Sequence, residues 1–284
     1  MRVAIIAPGE MGAAVGARLR RRGAGVATSL AGRGRASAER ARRAGLEVVD
    51  GDDRLVGGAD VVLSIVPPAQ ALPLAERLAP ALARAGGRVV YADCNAVAPE
   101  TVRRIAGVVA AAGCPFADVG IVGGPPREDD AGPRLYASGE AAALLEPLAG
   151  LGLDLRVMAG GIGAASALKM AYATITKGLT ALGSLAVLGA SAAGVDAELR
   201  AELASSQPDL LSFLSRQVPG MVPKAYRWVA EMEEIAGFLR PSAGEAAAML
   251  EGAARLYGTV ARDRAGGGGG EVATLGRFYG PPEG

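Results

Sequence analysis

The chain reads as an α/β protein: a doubly wound N-terminal domain followed by an all-helical C-terminal domain, joined by one long interdomain helix. Three observations carry that expectation. Over the first 158 or so residues, short Val-rich apolar runs alternate with helical stretches, the pattern of strands buried on both faces by crossover helices. The first of these runs turns through glycine directly into helical sequence. Beyond Gly160-Gly161 the strand pattern stops and the chain is helical almost throughout.

Apolar runs at 3-7, 25-30, 60-66, 88-92, 115-119, 134-138 and 153-158 predict strands, most of them too continuous for a half-exposed antiparallel sheet. Helices fit 10-22, 36-44, 69-85, 99-112 and 140-150, with Pro99 and Glu100 suited to a first turn and Gly113 to a stop. A helix over roughly 162-192, on the order of 45 Å long at about 1.5 Å per residue, then runs from one domain toward the next. Helical sequence continues to about 263, with breaks expected near Gly194, Ser206-Gln207-Pro208, Pro219-Gly220 and Pro241. The domains expected are 1-160 and 161-264. Residues 265-284, with Gly266 to Gly270 and Pro281-Pro282, lack apolar periodicity and are expected to form a flexible tail.

Composition narrows the function. Of 284 residues, 50% are hydrophobic, enough for a sizeable core. Thirty basic residues against 29 acidic ones leave a net charge of +1, which provides no field for nucleic acid or an anionic membrane. At 4% aromatic residues, stacking platforms for single-stranded nucleic acid are scarce. The chain has no histidine, so the commonest zinc ligand and general base are missing, and neither a metal centre nor a Ser-His-Asp arrangement is expected. Some other side chain must move protons. Cys94 and Cys114 have no Cys-x-x-Cys spacing and read as buried thiols. The first apolar run is too short for a secretory signal, and a cytoplasmic protein is expected. Gly178 to Val195 runs 18 residues without a charge, the lower limit of a membrane span. Its Ala, Gly, Ser and Thr content, its lack of Trp or Tyr, and its continuity with a helix carrying Lys169 and Lys177 argue against a membrane.

The N-terminal stretch carries the first chemistry. Val3-Ala4-Ile5-Ile6-Ala7 leads through Pro8-Gly9-Glu10-Met11-Gly12 into helix, the layout of a Rossmann-type phosphate turn. There the first N–H groups of the helix and its dipole face a pyrophosphate. Gly9 permits close approach, Gly12 permits helix–strand packing, and the usual first glycine is replaced by Ala7. A strand-turn-helix without a ligand is the competing reading. At the end of the second strand no Asp or Glu occurs between Glu10 and Glu39, and Arg33 and Arg35 occupy the loop. Arginine forks there suit an adenosine 2′-phosphate, hence NADP over NAD, unless they are solvated surface cations. Val66 and Pro67, and Asn95, end later strands on the cofactor side; Asn95 either approaches the ribose and nicotinamide or caps the next turn. Gly123 and Gly124 close a strand after Val122 and either hold a carboxylate on backbone N–H groups or shape a turn. Lys169 lies within an apolar helix, where it either snorkels to solvent or lines a cleft with a lowered pKa.

Together, the N-terminal turn, Asp-x-x-x-x-Gly-Gly at 118–124 and Gly-x-Gly-x-x-x-x-x-Lys at 161–169 resemble the β-hydroxyacid dehydrogenase family, which is related to 3-hydroxyisobutyrate and 6-phosphogluconate dehydrogenases. The resemblance spans about residues 1-190. Residues 224–235 resemble the C-terminal domain of a 6-phosphogluconate dehydrogenase-like subgroup. It implies that Gly9, Glu10, Met11 and Gly12 form the cofactor turn, that Arg33 selects the adenosine phosphate, and that Asn95 lies near the nicotinamide ribose. By the same resemblance Gly123 and Gly124 form the substrate loop, and Lys169 is the catalytic lysine. Val122 stands where many members have serine, and Ala173 where an asparagine commonly accompanies the lysine, which points to a substrate larger or less polar than a short β-hydroxyacid. Lys224, Arg227, Glu231 and Glu234 form a polar stripe at i, i+3, i+7 and i+10, either a solvated face or one entering the cleft from a partner subunit.

The activity expected is NADP-dependent hydride transfer between nicotinamide and a hydroxyl or carbonyl carbon of a small, carboxylate-bearing substrate. Lys169 serves as general acid/base in a homodimer joined through the helical domain. Two competitors remain: an imine reductase on the same scaffold, whose members usually carry Asp or Tyr where Lys169 stands, and a non-catalytic NADP-binding sensor.

Overall fold

The computed structural model describes residues 1–128 and 130–280. They divide into two compact units, Met1–Met170 and Ala171–Gly284. The division falls ten residues later than the expected boundary at 160, because the start of the long helix packs on the sheet.

The first unit holds β1 (Arg2–Ile6), α1 (Glu10–Arg21), β2 (Gly25–Thr28), α2 (Arg35–Arg43), β3 (Glu47–Val48), α3 (Asp52–Gly57), β4 (Val61–Ser64), α4 (Ala71–Ala85), β5 (Val90–Asp93) and α5 (Pro99–Ala111). It continues with β6 (Phe116–Val122), β7 (Arg134–Ser138), α6 (Pro147–Gly150) and β8 (Asp154–Val157), and ends in the first turns of α7 (Ala164–Ala193). The strands form one sheet in the order β3-β2-β1-β4-β5-β6-β7-β8. All neighbours are parallel except β6 and β7. Every residue of β4 and β5 is buried, as strands covered by helices on both faces require.

Each face has its own core. Val15 and Leu19 of α1 pack with Ile5, Val26 and Leu63 on one side; Leu78 and Leu82 of α4 and Ile105 of α5 pack with Val62 and Tyr91 on the other. Two elements were not anticipated. β3 has only two residues, both exposed, and α3 only six, too few for apolar periodicity to register.

The second unit contains the rest of α7, then α8 (Asp196–Ser206), α9 (Pro208–Met221), α10 (Ala225–Ala243), α11 (Ala248–Ala265) and α12 (Glu271–Tyr279). The breaks expected near Gly194 and at 206–208 occur. Those expected near Pro219-Gly220 and Pro241 occur as well: α9 ends at Met221 and α10 at Ala243, two residues after Pro219 and Pro241. Both sit in a last turn, where losing one N–H and crowding the preceding turn still leaves most of the helix intact.

The flexible tail expected at 265-284 is corrected over its described part. Asp263 accepts hydrogen bonds from the Gly270 N–H at 3.1 Å and the Val272 N–H at 2.8 Å, and α12 starts there. Leu275, Phe278 and Tyr279, an i, i+3, i+4 stripe, are buried, and the Tyr279 hydroxyl donates to the Gly183 carbonyl at 3.0 Å. Residues 281–284 lie outside the described residues.

Candidate active site

The β1–α1 turn lies at the switch point of the sheet, where β1 is flanked by β2 and β4 and the chain reverses its direction of travel. Ligands of doubly wound sheets bind beyond the strand ends at this point. The Ala7 N–H donates to the Ile65 carbonyl at 3.2 Å and the Gly9 N–H to the Ala7 carbonyl at 2.8 Å. At Gly12 a Cβ would collide with the Ala7 carbonyl oxygen and come within 3.1 Å of Ile5 Cγ2, so only glycine lets α1 rest on β1. No protein atom lies within 4 Å of a Cβ built on Gly9. Bare backbone at the start of a helix, with the first-turn N–H groups short of intrahelical acceptors, fits a pyrophosphate.

Pro8 is buried and Met11 packs on the core behind this turn. The arginine loop follows β2. Arg33 is half-buried and Arg35 exposed at the start of α2. Sequence reasoning missed Arg40, whose Nε donates to the Pro8 carbonyl at 3.1 Å and whose Nη2 donates to Ser37 Oγ at 3.4 Å. It ties α2 to the glycine turn. The signal was available: Ser37 and Arg40 share a face of α2 at i and i+3, just after the arginine loop.

Val66, half-buried, and Pro67, exposed, follow β4 on the same edge. Asn95 follows β5 and is buried. Its Oδ1 accepts from the Val66 N–H at 2.7 Å, and its Nδ2 donates to Ser64 Oγ at 2.9 Å and to Asp93 Oδ2 at 2.8 Å. The buried amide thus links the ends of β4 and β5. Asp93 is itself buried; desolvation raises its pKa to about 7, against the lowering effect of Asn95 and Lys169.

On β6, Asp118 is fully buried. Its Oδ2 accepts from Ser138 Oγ at 3.2 Å and from the N–H groups of Gly163 and Ser166, each at 3.0 Å; its Oδ1 accepts from Ser166 Oγ at 2.6 Å. The carboxylate thus caps the start of α7. Two residues along, a Cβ on Gly120 would lie 2.6 Å from the Ala165 carbonyl oxygen and 3.3 Å from Lys169 Cβ, so Lys169 stands directly over the strand. It is half-buried. Burial lowers its pKa to about 8, opposed by Cys94, Asp93 and Asp118. Asp93 was given no role by sequence reasoning and Asp118 entered it only as the first residue of the Asp-x-x-x-x-Gly-Gly motif, although a carboxylate inside a buried strand signals a specific partner.

Beyond β6, Val122 is half-buried and Gly123, at φ +126, lies where a Cβ would come within 3.1 Å of Pro133 Cα. Gly124 is exposed with open space around it. The buried guanidinium of Arg18 on α1 anchors the following loop by donating to the carbonyls of Arg127, Asp130 and Ala131.

The first unit therefore gathers residues 8–12, 33, 35, 66, 67, 95, 122–124 and 169 along the C-terminal edge of its sheet. Ala173, Lys224, Arg227 and Glu231 belong to the second unit. There Ala173 is buried and the Arg227 guanidinium lies 5.8 Å from the Tyr226 ring centre. Glu231 accepts from Lys177 Nζ, which also lies 4.9 Å from the Trp228 ring centre. The polar stripe is thus in part an internal ion pair rather than a freely presented face.

Sheet order, glycine turn and strand-end chemistry define an NAD(P)-binding domain of the dehydrogenase class. The chain belongs to the family of the NAD binding domain of 6-phosphogluconate dehydrogenase, whose profile matches residues 2–148, and residues 190–260 match a domain of unknown function, DUF1932. MTH1747, a conserved protein of unknown function described as structurally similar to 3-hydroxyacid dehydrogenases, is 30% identical; the match covers 93% of this chain and 98% of that one, with a TM-score of 0.68. The Mycobacterium tuberculosis 3-hydroxyisobutyrate dehydrogenase, solved with L-serine, shares the fold at 18% identity and a TM-score of 0.72 over 96% of this chain and 97% of that one. An imine reductase from Myxococcus stipitatus, in complex with NADP+, shares it at 20% identity and a TM-score of 0.56 over 98% and 99%. An uncharacterized 28.5 kDa protein from Methanothermus fervidus is 29% identical over 157 residues, 55% of this chain and 58% of that protein's length. Among the described residues α7 is the one helix long and apolar enough to cross a membrane; its first turns belong to the first unit and the rest to the second.

Proposed function

We propose that this chain is an NADP-dependent oxidoreductase that moves a hydride between nicotinamide and a hydroxyl or carbonyl carbon of a small, carboxylate-bearing substrate. The observation that carries the reading is Lys169, a lysine of lowered pKa standing over the end of β6 on the sheet edge that also carries the glycine turn. The turn at Pro8, Gly9, Glu10, Met11 and Gly12 would hold the pyrophosphate, and Arg33, Arg35 and Arg40 the adenosine phosphate. When bound, the nicotinamide supplies or accepts the hydride. Lys169 handles the accompanying proton: as an ammonium it donates to the nascent alkoxide oxygen, and as an amine it takes the proton from a hydroxyl. The exposed backbone at Gly123 and Gly124 would receive the substrate carboxylate.

The test is turnover of a panel of 3-hydroxyacids, the matching 3-oxoacids and cyclic imines with NADPH and with NADH. Oxidation or reduction at C–O that is lost in Lys169→Ala, with NADPH binding retained, supports the reading. Full turnover by that variant ends it. The apolar Val122 and Ala173, in place of a serine and an asparagine, favour a second reading as an imine reductase, which turnover of imines alone would select. Cofactor binding with no turnover across the panel would select a sensor.

The working form is proposed to be a cytoplasmic homodimer. Tyr172, Ile175, Leu179, Leu182 and Leu185 form an exposed apolar stripe on α7, with Ile175 63% exposed, and contiguous exposed apolar surface marks interaction sites. Light scattering should give twice the chain mass, and Ile175→Asp should give a monomer; a wild-type monomer rejects this assembly.

A further inference from the structure

Asp118 and Gly120 lie two residues apart on one face of β6, and both meet the first turns of α7. The carboxylate takes four hydrogen bonds, three of them from the start of that helix. The glycine leaves room that any side chain would take from Ala165 and Lys169. One device fixes where α7 begins, and the other fixes how deeply it sits on the strand. Lys169 follows Ala165 by one helical turn, so a shift of that turn moves the lysine with it.

We propose that Asp118 and Gly120 are the positioning residues for Lys169, the carboxylate pinning the first turn of α7 and the missing side chain letting that turn settle onto β6. This rests on the reading of Lys169 as the proton carrier. It is distinct from a plain helix cap, because the anchored turn is the one that aims the amine. The groups facing the amine are Asp93 and Cys94 from β5 and Asp118 from β6. The first two are held by the strand, so displacement of α7 changes the amine's distance to all three at once.

The sequence supplies the assay. Lysines are only three in number, Lys169, Lys177 and Lys224, among thirty basic residues, so lysine-selective isotope labelling of the full chain gives three side-chain signals to follow against pH. The wild-type Lys169 signal should titrate near pH 8. Gly120→Ala keeps every charge but lifts α7. Water then reaches the amine, and the midpoint should rise by about half a unit or more toward the ordinary lysine value of about 10.4. Asp118→Asn removes a charge that favours the ammonium, and the midpoint should fall by about as much. Should Asp118→Asn fail to fold, Ser166→Ala, which keeps the carboxylate and loosens the turn, should raise the midpoint as Gly120→Ala does.

NADP+ binding by the folded variants should stay near wild type, since none touches the glycine turn. Folded variants whose Lys169 midpoint matches wild type overturn the positioning role. An ordinary lysine midpoint in the wild type instead overturns the proposed function, so the two failures are told apart.

Discussion

Replacing Lys169 by arginine isolates the one property the proposed chemistry needs, a nitrogen that can lose its proton near neutral pH. Arginine keeps the positive charge and most of the length but stays protonated throughout the working range. With a pKa of about 8, Lys169 is amine in roughly one molecule in ten at pH 7, whereas an unperturbed lysine at about 10.4 would be amine in roughly one in 2,500. Burial beside the strand end therefore raises the basic form by about 200-fold. Oxidation should speed up with pH until about pH 8 and then level off; reduction, which consumes the ammonium, should slow above about pH 8. The assay is NADPH absorbance with whichever member of the panel turns over. Lys169→Arg should lower kcat by about 100-fold or more, abolish the inflection and leave NADPH affinity within a few-fold. Wild-type turnover by the arginine variant, or the same pH profile, refutes the reasoning.

Further predictions follow from the same contacts. Arg33→Ala combined with Arg40→Ala should weaken NADPH binding by about 10- to 100-fold while barely changing NADH binding, as expected for two charge-assisted contacts to a phosphate; calorimetric titration decides. Gly12→Val should lift α1 from the Ala7 carbonyl, costing about 1–3 kcal/mol in denaturant unfolding together with cofactor binding. Phe278→Ala should cost about 3–5 kcal/mol, because this ring is buried on α12, whereas a loose tail would tolerate it. The folded-state pKa of Lys169 lies below its unfolded value, so the unfolded chain holds more protons between about pH 8 and 10.4. Wild-type stability should accordingly gain on the order of 1–3 kcal/mol relative to Lys169→Met across that window, and show no such gain below it.

Much of the fold was legible because its signals are local. Val61 to Leu63 and Val89 to Ala92 read as strands because both faces are buried and every position is apolar or small. Gly12 and the Lys169 helix were legible because a glycine before helix and a charge within an apolar helix each have few physical causes. Asp118, Arg18 and Arg40 were not, since their partners lie 48, 113 and 32 residues away and no periodicity encodes such distances. Asn95 was visible as a polar residue at a strand end, but only the positions of Val66, Ser64 and Asp93 show that its amide ties β4 to β5. Around Gly266 to Gly270 composition pointed away from structure. The Asp263 carboxylate and the stripe of Leu275, Phe278 and Tyr279 outweighed it.

The central claim is most directly tested by a crystal structure of the chain with NADP+ bound. The account predicts the pyrophosphate on the N–H groups after Gly9 and the Lys169 amine within about one small molecule's width, roughly 4–6 Å, of nicotinamide C4, close enough to share a substrate oxygen. An amine turned to bulk solvent, or a nicotinamide seated at the opposite end of the sheet, would contradict it.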